Sequence, residues 1–123
     1  MKEPIRIANC SGFYGDRLSA AKEMVEGGPI DVLTGDWLAE LTMLILAKTQ
    51  AKHKEAGYAR TFVQQMQQVA ATCIDKSIKV VSNAGGLNPK GCAGAVQVLL
   101  DEQGINARVA WIDGDDLMNR LPE

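Results

Sequence analysis

Residues able to do chemistry are few in this sequence, and they cluster in four short stretches. Asn9-Cys10-Ser11-Gly12, followed by Asp16 and Arg17, forms the first, and Thr34-Gly35-Asp36-Trp37 the second. The third is Asn83-Ala84-Gly85-Gly86-Leu87-Asn88-Pro89-Lys90-Gly91, and the fourth is Asp113-Gly114-Asp115-Asp116. His53 lies in Lys52-His53-Lys54 at a charged helix end and reads as surface, so an acid–base catalyst must be a carboxylate, a thiol or a tyrosine. Asp36 and Asp16 are the candidate bases, and each suits a helix N-cap equally well. Cys10 is a nucleophile if Arg17 holds it as thiolate and a structural thiol if it is buried. Arg17 can bind a carboxylate or phosphate in bidentate fashion. Asp115 and Asp116 offer hard oxygen donors for a divalent cation, or simply a solvated turn.

The third stretch carries the strongest local signal. It runs from the apolar Val80-Val81, through small and polar residues, into a helix. Glycine lets backbone approach a ligand closely, and a helix N-terminus favours an anion or a carbonyl oxygen. Asn83, Gly85, Gly86 and Asn88 are therefore candidate ligand-binding residues, facing Asn9, Ser11, Gly12 and Arg17 of the first stretch. Gly86 and Gly91 have Walker spacing, but Cys92-Ala93 stand where Lys and Ser or Thr are required, and there is no G-x-G-x-x-G fingerprint. Cys10 and Arg17 are one residue too far apart for a phosphatase loop.

Elements that position these stretches follow from the pattern. Strands are expected at Ile5–Ala8, Ile30–Leu33, Ile78–Ser82 and Ala107–Ile112. Helices are expected at Arg17–Glu26, from Trp37 to about Glu55, within Tyr58–Asp75 and at Cys92–Glu102, with a further helix or turn at Leu117–Leu121. Phe62, Val63, Met66, Val69, Ala70, Cys73 and Ile74 make one apolar stripe, with Gln64, Gln65, Gln67 and Gln68 facing water. Trp37 to Ala47 is apolar nearly all round, which predicts a helix buried on most sides. The alternation predicts a three-layer Rossmann-like α/β fold, with a mostly parallel sheet of about four strands and helices on both faces. The site then falls at the carboxyl ends of the strands, at a switch point between the first and third stretches, with Asp36 and Asp115 at its sides.

Composition bounds the function. A chain of 123 residues makes a single α/β domain, 1–123. A net charge of −2 and 5% aromatic residues exclude a basic nucleic-acid surface and a base-stacking platform. Three cysteines with no Cys-x-x-Cys spacing argue against a disulfide framework or a zinc site and fit a reducing cytoplasm. No apolar run is long enough to span a membrane, and no signal peptide is evident. The expected partners are a small anionic ligand and a second copy of the chain. No membrane or nucleic acid is expected.

Four blocks, in this order, resemble the acyclic terpene utilisation family AtuA: Asn9 to Arg17, Thr34-Gly35-Asp36-Trp37-Leu38-Ala39-Glu40-Leu41-Thr42-Met43, Gly57-Tyr58-Ala59-Arg60-Thr61-Phe62, and Ser82 to Pro89. Gly114-Asp115-Asp116-Leu117 adds a fifth. The resemblance implies a place in bacterial degradation of branched acyclic terpenes such as citronellol and geraniol. It also implies cleavage of a 3-hydroxy-3-isohexenylglutaryl-CoA ester with release of acetate, a lyase reaction in which a divalent metal would fall to Asp115 and Asp116. Family members are several times longer, so the chain reads as the N-terminal portion of such a protein. The competing reading is a non-catalytic ligand-binding or assembly module.

Overall fold

The computed structural model describes residues 1–122. Its elements run β1 (Ile7–Asn9), α1 (Ala20–Glu26), β2 (Val32–Gly35), α2 (Glu40–Lys52), α3 (Arg60–Asp75), β3 (Lys79–Ser82) and α4 (Pro89–Glu102), with a 3-10 turn at Met118–Arg120. The strands are parallel, in the order β1-β2-β3. Ile7, Val32 and Lys79 share one row, and Ala8, Leu33 and Val80 share the next.

Strand order decides the layering. A right-handed crossover leaves its helix on one side of the sheet. When every new strand is added in the same direction, all crossovers fall on that same side. Leu33 is buried beneath Ala21 and Val25 of α1, Met66, Val69 and Cys73 of α3, and Val96, Leu99 and Leu100 of α4, all in one cluster. On the opposite face, Ile7 is 64% and Val81 61% exposed. The protein therefore has two layers, with helices on one face, where three layers were expected. The expectation of about four strands is also corrected. Ala107–Ile112 forms no strand among the described residues, although Ala107 and Val109 pack against the core.

Two helices depart from their sequence patterns. α2 begins at Glu40 and buries only Thr42 and Leu46; Leu41, Leu44 and Ile45 are exposed. Its apolar character thus does not make it a core helix. In α3 the expected stripe holds at Met66, Val69, Ala70 and Cys73, but Gln65 is buried with them, and Ile74 is half exposed. Gln65 stands three residues after Phe62 and four before Val69, so helical spacing places it on the apolar face. Its amide is satisfied there: Nε2 donates to the Arg17 carbonyl (3.4 Å), and Oε1 accepts from the Cys10 thiol (3.6 Å).

Candidate functional site

The three strand-exit loops form a line across the carboxyl edge of the sheet, in strand order. Asp36 N–H donates to the Ser11 carbonyl (2.9 Å), which joins the first loop to the second. Asn83 joins the second to the third: its Nδ2 donates to Asp36 Oδ1 (2.7 Å), and its Oδ1 accepts from Trp37 N–H (2.8 Å). Leu38 N–H also reaches Asp36 Oδ1 (3.4 Å). Asp36 thus spends its carboxylate on loop 3 and caps no helix; the N-cap position of α2 is Ala39. Beneath this line Trp37 is 1% exposed and meets Phe62 edge-on, with ring centroids 6.0 Å apart at 72°. Gly35 gives the indole room, since a Cβ there would stand 2.9 Å from Trp37 Nε1. Trp37 Nε1 and Thr61 Oγ1 are buried without a hydrogen-bond partner among the described residues.

β2 lies between β1 and β3, so the first and third loops flank the second, and the sheet has no strand-order reversal to form a switch point. The expected crevice shared by Asn9–Arg17 and Asn83–Gly91 is therefore absent. Within the first loop the candidates are occupied with one another. Asp16 accepts from Gly12 N–H (2.9 Å) and Arg17 N–H (2.7 Å), and these two amides hold its carboxyl below the usual range. Consequently α1 starts three residues after Arg17, at Ala20. The Arg17 guanidinium pairs with Glu23 (2.7 Å). Ser11 is buried and donates to the Phe13 carbonyl (3.0 Å). Cys10 faces the core, where burial raises its thiol and nearby Asp16 adds to the effect. The thiol donates to Gln65 and Arg17 is paired with Glu23, so among the described residues no cation activates it as a thiolate. Asn9 ends the edge strand β1 and is exposed.

Glycines of the third loop serve a packing joint. Gly86 has φ +54°, and a Cβ there would meet Leu46 Cδ1 at 2.6 Å and the Gly57 carbonyl at 2.8 Å. A Cβ on Gly85 would stand 2.8 Å from Pro89. Leu87 N–H donates to Gly57 O, and Ala59 N–H to Ala84 O (both 2.8 Å), so the loop is clamped onto the α2–α3 connection. Asn88 completes the clamp. Its Oδ1 caps α4 at Gly91 N–H (2.9 Å), and its Nδ2 donates to the Glu55 (2.9 Å) and Ala56 (3.2 Å) carbonyls. Pro89 has no amide proton, and Cys92 N–H returns to Asn88 O (3.0 Å). The first turn of α4 is thus largely self-capped and leaves little to hold an anion.

A concave feature lies on the other side of this loop. A cavity of about 610 Å³ separates β3, α3 and α4 from Ala107–Ile112. Its walls are apolar, with Met66, Ala70, Val80, Val96 and Trp111 among them. Its polar groups are Ser82, Asn83 and the Gly85–Gly86 backbone, with Arg108 on the far segment and Asp115 beyond its end. The structure therefore brings together Asn83, Gly85, Gly86 and Asp115; no residue of Asn9–Arg17 lines the cavity, nor does Asp36. Asp116 Oδ1 accepts from Met118 N–H (3.0 Å), and no group of three His, Cys, Asp or Glu suited to a metal occurs among the described residues. Two carboxylates on an exposed segment do not make the donor set a divalent cation requires. Among the described residues, no helix is long and apolar enough to cross a membrane.

No match was found among curated proteins or solved structures. The family model described as "Acyclic terpene utilisation family protein AtuA" matches residues 5–123. With nearly its whole length matched, the chain belongs to the acyclic terpene utilisation family AtuA.

Proposed function

We propose that the protein binds the branched acyl part of a coenzyme A ester during acyclic terpene degradation, in the cavity beside β3. The cavity itself carries this reading. Its size falls within the range of about 300–1,000 Å³ usual for small-molecule sites, and its apolar walls end in a few polar groups at Asn83–Gly86. An apolar branched chain gains by leaving water for such walls, while Asn83 and the glycine backbone suit a thioester or carboxylate oxygen.

The reaction proposed for this ligand is cleavage of 3-hydroxy-3-isohexenylglutaryl-CoA. A base takes the tertiary hydroxyl proton, the adjacent carbon–carbon bond breaks, and the departing carbanion is protonated to give acetate. Asp36 is assigned as the base because its carboxylate accepts from Asn83, which lines the cavity. A second reading, ligand binding without chemistry, is favoured by one observation: Asp36 is tied to Asn83 and does not line the cavity.

Titration calorimetry with a branched acyclic acyl-CoA, set against CoA alone, tests the binding. Heat with the ester and none with CoA is expected; equal responses would remove the cavity from the function. Turnover of the hydroxy ester, lost in Asp36→Asn with folding intact, supports the lyase. Binding without turnover in the unmutated protein supports the second reading.

A further inference from the structure

Outward from the core, α2 presents Leu41, Leu44, Ala47, Lys48 and Ala51 along one stripe, all exposed. Leu41 is 67% and Leu44 51% exposed, in a helix whose inner side keeps only Thr42 and Leu46 buried. The stripe is bulky in its first half and small in its second. Its charges are also divided, with Glu40 at the start and Lys48 and Lys52 toward the end. Among the described residues, none of these three charges forms an ion pair within the chain.

We propose that this stripe is a self-association surface, on which a second copy of the chain lays its own α2 antiparallel. Complementarity selects both the partner and the direction. Under a two-fold axis at Leu46, the middle of α2, Leu41 meets Ala51 of the other copy, Leu44 packs on the stem of Lys48 with Ala47 beside it, and Glu40 meets Lys52. Large side chains then fill the space left by small ones, opposite charges face each other, and the helix dipoles run in opposition. Parallel pairing would set Leu41 on Leu41 and Lys52 on Lys52. The contact is isologous, so it closes at two copies. It also extends beyond one helix pair: Met43, on the flank of α2, shares a cleft with Leu117, Met118 and Leu121, all three exposed. The surface lies outside the acyl cavity and does not depend on how that cavity is used.

Sedimentation equilibrium from micromolar to near-millimolar concentration is the test. A monomer–dimer equilibrium is expected. Leu44→Glu raises the dissociation constant at least ~10-fold, because each dimer loses the contact twice. Glu40→Lys weakens the dimer, and adding Lys52→Glu restores it, a rescue that a folding defect would not show. In a mixture of Leu41→Cys and Ala51→Cys proteins, the crosslink forms between the unlike copies. A monomer throughout the range, a dimer indifferent to Leu44→Glu, or crosslinking of Leu41→Cys to itself would each overturn the proposal.

Discussion

Asn88 shows how a side chain suited to ligand binding becomes a structural joint. It caps α4 with its oxygen and holds two carbonyls after α2 with its nitrogen. Asn88→Ala is expected to cost about 1–2 kcal/mol, the usual loss for a cap, and urea denaturation measures it. Asp16 works similarly inside the first loop, and its effect depends on pH. Its folded pKa lies below the ordinary 3.8 because two backbone amides favour the carboxylate. Its contribution is complete above pH 3.8 and is lost as pH falls through the lowered value. Asp16→Asn should therefore show a flatter loss of stability below that pH, followed by circular dichroism in acid titration. At this scale the sequence was legible in residue type but not in partner. Asn, Asp, Cys and Arg were recognisable as chemically capable, yet whether each meets a ligand or a backbone amide depends on loop geometry. Cys10 lost its nucleophilic role because Arg17 turned to Glu23 and the thiol turned inward to Gln65.

The helices differ in how firmly they are held, and sequence pattern tracked the difference only in part. α3 and α4 carry one-sided apolar stripes, that of α3 interrupted by Gln65, and pack together under the sheet, as periodicity indicated. α2 is more apolar in its first half, yet it is mostly outside the core, because hydrophobicity without a one-sided pattern gives no direction for burial. Ala107–Ile112 is the converse case. It alternates like a strand and directs Ala107 and Val109 inward, but no ladder bonds secure it. Local opening should therefore start there. Limited trypsin digestion of the folded protein is expected to cut first after Arg108, which is exposed, while sites within α3 and α4 survive. Branched acyl-CoA in the proposed cavity should slow that first cut, since the segment forms one cavity wall.

Across the whole molecule, the alternation of strands and helices correctly gave a parallel α/β protein, and it misplaced the layers. Which side of β2 receives β3 is a long-range choice that no window of sequence encodes. Had β3 been added beside β1, the loops around Asn9 and Asn83 would have met and helices would have covered both faces. With β3 beyond β2, the loops stand in a row and Asp36 mediates between them. Lys79 N–H donates to Asp31 O (3.0 Å), so the parallel ladder turns the backbone groups of Val80 and Ser82 away from β2, toward the cavity. That edge is short and shares the cavity with Ala107–Ile112, which bears on shelf life. While the segment stays in place, neighbouring molecules cannot extend the sheet. Once it is cut or peeled away, the bare edge becomes a template for strand-by-strand growth. Proteolytic damage to that exposed segment would then register as turbidity in concentrated stock, before any loss of helix content.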